Sequence, residues 1–384
     1  MEESANIRRV LIFAQDDYSI EAMDEAAAAF GLLVRRTGRL DKLEAMAREF
    51  GPDAAIIDPD AISHEPARAL QAVAGSGAIL LLLGDPAGVS VDRARQLAAE
   101  QGLEVAGIIP RPIMPESLQV ALRVLIGELD FSAADIGNAV MRGEMTAWYQ
   151  LQLTRHDSGW RAGGAEALAR WQHPVHGVVM PGAFVPVAEA RGQIAVITDC
   201  VLQTAVQQLS VWHRQGLSFR VAVNLSPLMV TDPDFPERLA RLLQEYDVPA
   251  RSLLLEIPEP SLAAAPHGFL SMLARLRVYG FGLALEHFGS GISSVAELYR
   301  TPFSELKIDR RLVNQLTEDE DARHLVRGII ALARELGLST AAETVETRET
   351  LEFLHEAGCD SAQGFVISRP LPATEFQAIA AQWL

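Results

Sequence analysis

Short apolar runs alternate with helical hydrophobic patterns through the first 109 residues of the chain. The apolar runs predict strands at 10–13, 54–57, 78–83 and 105–109. Amphipathic spacing predicts helices at 20–30, 40–50 and 90–101. Strands that alternate with helices in this way indicate a parallel sheet with helices on both faces. We therefore expect a doubly wound α/β domain over residues 1–126.

A longer series of strands and helices fills residues 133–384. The predicted strands are 148–153, 161–171, 219–225, 253–257, 282–288, 305–309, 340–345 and 363–368. The predicted helices are 197–215, 235–246, 269–278, 321–336, 348–355 and 374–383. Eight strands with intervening helices in about 250 residues match the size of one TIM-type (β/α)8 barrel.

Helical spacing also joins the two regions. Apolar residues recur at helical intervals between Leu118 and Met145, with a break near Asp130. We expect residues 127–145 to form a helical connector that passes the orientation of the first domain to the second.

Polar side chains mark the ends of several barrel strands. Glu166, Leu168 and Arg170 share one face of the second predicted barrel strand, because side chains alternate across a strand. Taken alone, this Glu and Arg also fit a solvated strand face. Later apolar runs end in the polar residues Asn224, Glu256, Glu286, His287, Glu343 and Glu346. Acids at the carboxyl ends of barrel strands are typical of a metal site on the top face of the barrel.

Composition and charge limit the partners. The 384 residues suffice for about two domains, and 33 basic against 50 acidic residues give a net charge of −17. This balance excludes a nucleic acid polymer held by charge, whereas a small anion remains compatible with a few local cations or metal ions. The most apolar run, 78–83, is far shorter than the roughly 18 residues of a membrane helix. Two distant cysteines and an N-terminus without a signal pattern favour a reduced, cytoplasmic protein with no membrane partner.

The first domain resembles the receiver domains of response regulators, a (βα)5 fold. Asp58, at the end of the run 52–58, takes the phosphoacceptor position, and Arg111-Pro112 stands where the family has Lys-Pro. The metal-binding acids of the family fall on Ala14 and Gln15, unless the register shifts onto Asp16 and Asp17, and its hydroxyl falls on Leu83. Phosphoryl transfer depends on metal and cation stabilisation of the phosphoryl oxygens. The resemblance therefore implies a pseudo-receiver with a vestigial phosphoacceptor, used for docking a protein partner or for dimerisation; phosphorylation of Asp58 is the alternative.

Residues 133–384 resemble the EAL domain, the family of cyclic di-GMP phosphodiesterases and their inactive relatives. The matching motifs are Glu166–Arg170, Asn224–Ser226, Leu255–Glu259, Phe288–Ser294, Leu306–Asp309, Ala342–Glu346 and Gln363–Gly364. Seven motifs in the family order span the whole domain.

The resemblance assigns a role to each matching position. It implies metal ligands at Glu166, Asn224, Glu256, Glu286, His287 and Glu346. It implies catalytic positions at Glu343 and Lys307, beside the attacking water, with Gln363 nearby. It implies ligand-binding positions at Gln150, Leu168, Arg170, Leu225 and Ser226, and a loop-bracing role for Glu259. Such a reaction uses two divalent ions about 3.5 to 4 Å apart, and Mg²⁺ prefers oxygen ligands.

This sequence departs from the family at the pair Glu286-His287, where active members have two adjacent Asp residues. Glutamate moves the carboxylate by about 1.5 Å, one C–C bond, and catalytic geometry tolerates about 0.5 Å. Histidine removes one negative charge and offers a nitrogen, which suits Mg²⁺ poorly. Pro258, Pro260 and Thr344 further stiffen or crowd nearby loops. We expect the Mg²⁺ or Mn²⁺ site to be impaired.

Three functions are compatible with these residues. The favoured hypothesis is a cytoplasmic signalling protein whose degenerate EAL barrel binds cyclic di-GMP and hydrolyses it poorly or not at all. The second is a slow metal-dependent phosphodiesterase yielding linear pGpG. The third is a scaffold that binds neither ligand nor metal. Family analogy also suggests a homodimer through residues 289–300.

Overall fold

A computed structural model describes the chain as two compact units, residues 1–144 with 170–193, and residues 145–169 with 194–384. The described residues are 9–14, 32–62, 65–84, 89–103, 105–109, 122, 133–226, 229, 232–259, 268–288, 298 and 300–384. The predicted domain limits, 1–126 and 133–384, stay predictions. Within the predicted connector, residues 127–132 lie outside the described residues, 133–141 are helical, and a strand begins at Met145.

The first unit contains a parallel sheet of five strands in the order β2-β1-β3-β4-β5. Its elements are β1 (Arg9–Phe13), β2 (Leu33–Thr37), α1 (Leu40–Phe50), β3 (Ala54–Ile57), α2 (Pro66–Ala74), β4 (Ile79–Leu83), α3 (Val89–Glu100) and β5 (Val105–Ile109). This order is that of the flavodoxin-like doubly wound folds, which places a crevice between the carboxyl ends of β1 and β3. The expected doubly wound, receiver-like fold is confirmed.

Two elements of this sheet unit were not predicted. The sequence of β2, Leu33-Val-Arg-Arg-Thr37, carries two arginines and lies at the sheet edge, where most of its residues keep contact with solvent. Interior strands such as β3 and β4 are buried on both faces and therefore read as continuous apolar runs. The helix α2 begins with a proline in its first turn, a position where the missing N–H costs no helical hydrogen bond.

The remaining elements are listed here in chain order. They are α4 (Ala133–Met141), β6 (Met145–His156), β7 (Gly159–His173), β8 (Gly177–Val179), α5 (Pro181–Ala190), α6 (Ile194–Arg214), β9 (Arg220–Asn224), α7 (Phe235–Glu245), β10 (Leu253–Pro258), α8 (Phe269–Val278), β11 (Gly282–Phe288), β12 (Glu305–Ile308), α9 (Arg310–Asn314), α10 (Glu320–Glu335), β13 (Ser339–Ala342), α11 (Arg348–Ala357), β14 (Ser361–Gln363) and α12 (Ala373–Ala380). Every predicted strand corresponds to one of these, whereas β8, α5 and α9 were not predicted.

Eight of these strands form a closed barrel. The order is β6-β14-β13-β12-β11-β10-β9-β7, and β6 pairs with β7 to close it. The strand β6 runs antiparallel to β14, while the pairs from β14 round to β7 are parallel. The TIM-type (β/α)8 prediction is confirmed, with one inverted strand. Because seven strands run the same way, their carboxyl ends meet on one face.

The helix α6 is the long apolar helix of this unit. It meets the length and composition expected of a membrane-crossing helix, with 44% of its most apolar window buried. Its Trp212 packs edge-on against Tyr149 of β6, with ring centroids 5.0 Å apart, and also contacts Phe376 of α12. Aromatic pairs in this geometry stabilise a core beyond their area burial. The apolar character of α6 is thus used in packing against the barrel.

Two barrel strands end earlier than predicted. The strand β13 ends at Ala342 rather than at 345, and β14 covers 361–363 rather than 363–368. The chain after each strand turns and pairs with the other: the Val345 N–H donates to the Gln363 carbonyl at 3.0 Å, and Val366 N–H donates to the Val345 carbonyl at 3.2 Å. A Cβ on Gly364 would lie 2.1 Å from the Val345 carbonyl oxygen, so only glycine permits this approach.

Candidate functional site

Three glutamates from three barrel strands converge in the structure. Glu166 lies on β7, Glu256 on β10 and Glu286 on β11, and one oxygen from each lies within 4.8 Å of the others. All three side chains are buried. The parallel register brings them together, since Glu166 lies opposite Ala222 of β9 and Glu256 opposite Asn224 of the same strand. The predicted clustering of acidic strand ends is therefore observed.

Lys307 supplies the positive charge of this cluster. Its ammonium Nζ, on β12, forms ion pairs with Glu256 and Glu343 and lies 3.3 Å from Glu286 Oε1. Lys307 and Glu256 are both fully buried, and Glu343, just after β13, is partly exposed. Buried charges persist in proteins when they are paired and hydrogen-bonded. Three carboxylates thus surround one ammonium.

Burial and charge shift the titration of these groups. Burial raises the pKa of Glu256 well above its usual value and raises that of Glu166; Lys307 partly offsets this, while the neighbouring glutamates reinforce it. Burial alone would lower the pKa of Lys307, but Glu256, Glu343, Glu166 and Glu286 outweigh it and raise the pKa well above the usual value. Glu256 and Glu166 therefore keep their protons to a higher pH than free glutamates do.

The donor set fits one hard divalent cation. Glu256 Oε2 is buried and accepts no hydrogen bond from any described residue. Glu166, Glu256 and Glu286 together offer one oxygen each, the kind of ligand that Mg²⁺ or Mn²⁺ prefers. The side chain of His287 lies outside the described residues, so the structure describes no second set of ligands there.

An amide network borders the glutamates. Gln363 Nε2, at the end of β14, donates to Glu166 Oε2 at 2.7 Å and to Gln150 Oε1 at 2.9 Å. Gln152 Nε2 donates to Gln363 Oε1 at 2.8 Å. Asn224 Nδ2 donates to Glu166 Oε1 at 3.0 Å. These bonds fix the orientation of the Glu166 carboxylate.

Gln152 is a member of this network that sequence reasoning missed. It lies two residues after Gln150 on β6, so the two side chains point to the same face of the strand. The spacing Gln-Leu-Gln was the available signal, because two buried amides on one strand face require partners.

The other predicted positions are distributed as follows. Arg170 of β7 is 3% exposed, Leu168 is half-buried, Leu225 is buried and its N–H donates to the Glu256 carbonyl at 2.8 Å, and Ser226 is half-buried. Glu259 is buried, and its N–H donates to the Glu286 carbonyl at 3.2 Å. The loop it was predicted to brace, 289–294, and Pro260 lie outside the described residues.

Glu346 differs from the other predicted carboxylate ligands in its exposure to solvent. It is exposed, and the three-carboxylate group is formed by Glu166, Glu256 and Glu286. Because β13 ends at Ala342, Glu346 lies in the connection that leads to α11 rather than at the strand end.

Asp58 lies in the separate sheet of the first unit. It follows β3 directly and is 4% exposed; its N–H donates to the Phe13 carbonyl at 2.9 Å, and its Oδ1 accepts from the Asp60 N–H at 3.0 Å. Leu83, where receiver domains have a hydroxyl, is buried at the end of β4. Residues 15–17 and Arg111 lie outside the described residues.

Thr344 has a strained backbone beside the site. Its φ is 54°, in the left-handed region, and its Oγ1 donates to the Glu343 carbonyl at 2.7 Å. This region costs a non-glycine residue about 1–2 kcal/mol, and a β-branched residue rarely adopts it. The sequence predicted that Thr344 stiffens or crowds this loop. The structure adds that its backbone adopts a conformation that is unfavourable for threonine.

The substitution Thr344→Gly is expected to increase the free energy of unfolding by up to about 1 kcal/mol, because relief of backbone strain exceeds the added entropy of the unfolded chain. Urea unfolding followed by circular dichroism measures it. Thr347→Gly is the matched control: Thr347 has φ −121° and caps α11 by accepting from the Thr350 N–H, so its replacement should lower stability. A Thr344→Gly protein less stable than the parent would contradict the strain.

Comparisons with known proteins agree with the barrel geometry. A family model described as the EAL domain matches residues 133–370, more than half of the chain. The chain is 37% identical over 248 residues to the bifunctional diguanylate cyclase/cyclic di-GMP phosphodiesterase MucR of Pseudomonas aeruginosa, covering 64% of this chain and 36% of that protein. It is 34% identical over 266 residues to the cyclic di-GMP phosphodiesterase RocR of the same organism, covering 69% of this chain and 66% of that protein.

A solved structure also matches the barrel. It is described as the PaMucR phosphodiesterase in complex with c-di-GMP, and it is 37% identical with a TM-score of 0.59. The match covers 63% of this chain and 98% of that chain. The match thus covers about a third of the full length of MucR but nearly all of the chain in the solved structure.

Proposed function

The chain belongs to the EAL-domain family, and from that premise we propose that its barrel is a receptor for cyclic di-GMP that hydrolyses the ligand slowly or not at all. The observation that carries the proposal is the contrast between two parts of one pocket. The amide network at Gln150 and Gln363 is complete, whereas the family's paired aspartates are replaced by Glu286-His287.

Recognition of the ligand is proposed to rest on groups that do not bind metal. The guanidinium of Arg170 presents several N–H donors in a planar fork and clamps a phosphate through two parallel hydrogen bonds. Gln150 and the backbone of Leu225 and Ser226 meet the purine edge, and Leu168 supplies an apolar wall. The similarity to the barrel solved with c-di-GMP supports this assignment. Binding of this kind persists when the catalytic geometry is lost.

The metal site is proposed to be impaired at its second position. Glu166, Glu256 and Glu286 would hold one Mg²⁺ or Mn²⁺ ion, with Asn224 beside them; Glu346 would have to approach from its exposed connection. Two divalent ions in such a site generate hydroxide and stabilise the charge on the phosphorus. Gln363 and Asn224 orient Glu166, and Lys307 and Glu343 form an ion pair beside the attacking water's proposed position.

We propose that the first domain acts as a pseudo-receiver in a cytoplasmic signalling protein. Asp58 keeps the burial and strand-end position of a phosphoacceptor, and the replaced hydroxyl position, Leu83, argues against efficient phosphoryl transfer. Docking of a protein partner or dimerisation is the proposed use of the domain. Gel filtration of the full chain and of an Asp58→Ala protein, with and without a phosphoryl donor, tests this.

A slow cyclic di-GMP phosphodiesterase is the second candidate. The observation that favours it is the retained group of three carboxylates within 4.8 Å and the retained Lys307–Glu343 pair. The product would be linear pGpG. The third candidate is a scaffold that binds no ligand. In that case the buried amide network would only stabilise the barrel.

Calorimetric titration with cyclic di-GMP, with and without Mn²⁺, followed by chromatography of the nucleotides, separates the three. We expect micromolar or tighter binding and negligible pGpG. Cyclic di-AMP is the control ligand, because it tests the purine-edge contacts without changing the phosphates. Turnover comparable to that of an active phosphodiesterase would contradict the receptor, and silence with both nucleotides would favour the scaffold.

A further inference from the structure

A second polar cavity lies inside the barrel, at the amino ends of its parallel strands. Its volume is about 180 Å³. Four of the residues that line it are each the first residue of a strand: Arg220, Glu305, Ser339 and Ser361. Glu305 precedes Lys307 by two residues on β12, so both side chains point to the same, inner face of that strand. The cavity therefore belongs to the barrel interior.

An apolar layer separates this cavity from the glutamate site on one side of the barrel. Ala222, Leu254 and Ala284 form a buried cluster there. Each precedes by two residues, on its own strand, a polar residue of the glutamate site, namely Asn224, Glu256 and Glu286. Gln152 of β6 is shared, because it lines the cavity and also donates to Gln363. Apart from Gln152, the cavity is lined by residues to which the proposed function gives no role.

Glu305 supplies a buried acceptor in this cavity. Its side chain is 1% exposed, and its Oε2 accepts from the Arg220 guanidinium and, at 3.1 Å, from the Ser339 hydroxyl. Its Oε1 is buried and accepts no hydrogen bond from any residue that the structure describes. Burial of a carboxylate oxygen without a donor is unfavourable. A bound group with N–H or O–H donors would satisfy this oxygen.

Asp360 adds a negative charge to the cavity. It lines the cavity, and its Oδ2 accepts from the Thr340 N–H at 2.9 Å and from the Thr340 hydroxyl at 3.0 Å. No described lysine, arginine or histidine forms an ion pair with Asp360. Arg220 balances the charge of Glu305 alone. The lining thus keeps one uncompensated negative charge, which favours a cation as ligand.

The donor set suits a nitrogen cation better than a divalent metal. Within the described ranges, the group of Glu166, Glu256 and Glu286 is the one set of three Asp, Glu, His or Cys side chains close enough to hold a metal. Glu305 and Asp360 have no third partner of this kind. An ammonium group carries three N–H donors, which match carboxylate and hydroxyl oxygens.

We propose that this cavity binds a small primary amine in its ammonium form, whose N–H groups donate to Glu305 Oε1 and to the Asp360 carboxylate. The volume limits the ligand, since a cavity of about 150 Å³ holds a molecule of the size of benzene. A nucleotide is therefore too large for it. This inference does not depend on the proposed receptor function.

The first test compares two ions of equal charge, methylammonium and tetramethylammonium, in saturation-transfer NMR titrations of the full chain. Only methylammonium has N–H donors. We expect it to bind at least about tenfold more tightly, because hydrogen bonds to a charged group contribute strongly to affinity. Equal affinities of the two ions would overturn the proposal. Absence of transfer to methylammonium would also overturn it and would leave the cavity to water.

The second test locates the binding, since the glutamate site also carries negative charge. Glu305→Gln keeps the shape of the side chain and removes its charge, and it is expected to weaken methylammonium binding at least about tenfold. The matched control is Asp157→Asn, which removes one negative charge from the exposed turn between β6 and β7 and should leave the affinity unchanged. Parent-like affinity in Glu305→Gln would overturn the proposal.

A further variant covers the case in which Glu305→Gln fails to fold after losing the ion pair with Arg220. Asp360→Asn keeps a side-chain oxygen that accepts from Thr340 and removes the uncompensated charge. It is expected to weaken methylammonium binding while the melting temperature stays close to that of the parent. Full affinity in a folded Asp360→Asn protein would contradict the proposed contacts.

Discussion

The paired substitution Glu286→Asp and His287→Asp is expected to raise hydrolysis of cyclic di-GMP by about 10²-fold over the parent chain. Shortening Glu286 withdraws its carboxylate by about 1.5 Å, one C–C bond. Replacing His287 adds a negative charge and an oxygen ligand, which a hard divalent ion prefers to nitrogen. Formation of pGpG in Mn²⁺, followed by chromatography, measures the gain.

The single substitutions serve as controls for this gain. Glu286→Asp alone gives the first position the side-chain length of aspartate but leaves His287 in the second position. His287→Asp alone supplies the second carboxylate but leaves the Glu286 carboxylate displaced. Each is expected to give far less activity than the pair, because the ions act as a unit. If the pair shows no gain, the lesion lies in the neighbouring loops, with the strained Thr344 as the first position to correct.

Arg170→Ala is expected to weaken cyclic di-GMP binding by about 10- to 100-fold, since a charge-assisted hydrogen-bonding pair contributes about 1.5–3 kcal/mol. Arg170→Lys should recover only part of the affinity, because an ammonium cannot form the bidentate contact. Calorimetric titration measures both. Arg170 is buried, so unfolding of each variant must be followed in parallel.

Arg161→Ala is the matched control for the clamp. Arg161 lies on the same strand, β7, and is exposed, so its removal changes the charge of the strand without changing a buried group. Its affinity for cyclic di-GMP should equal that of the parent. Equal affinities of Arg170→Ala and Arg161→Ala would remove Arg170 from ligand recognition and assign its guanidinium to barrel packing.

The barrel and its acidic face were predictable because strand periodicity and strand ends are local properties of the sequence. Glu256 and Glu286 each come late in an apolar strand, and the parallel register then brings them together. Eight strands were predicted and eight form the closed barrel. Local patterns suffice where an apolar run ends in a polar residue.

Other features depend on pairings that the sequence does not carry. The edge strand β2 contains two arginines and lacks an apolar run, and α5 begins Pro181-Gly182, which reads as a turn. The sequence did not show that β13 ends at Ala342 and that Glu346 lies exposed in the connection after it. The sequence also does not show that Lys307 contacts three carboxylates. Two of them lie on other barrel strands and one lies in the connection after β13.

The most direct test of the account is a crystal structure of the protein grown with cyclic di-GMP and Mn²⁺, with the manganese ions located by anomalous scattering. The account predicts intact cyclic di-GMP bound against Arg170 and no bridged pair of ions. Two fully occupied Mn²⁺ ions bridged at Glu286 beside the phosphate, or pGpG in place of the intact ligand, would contradict it.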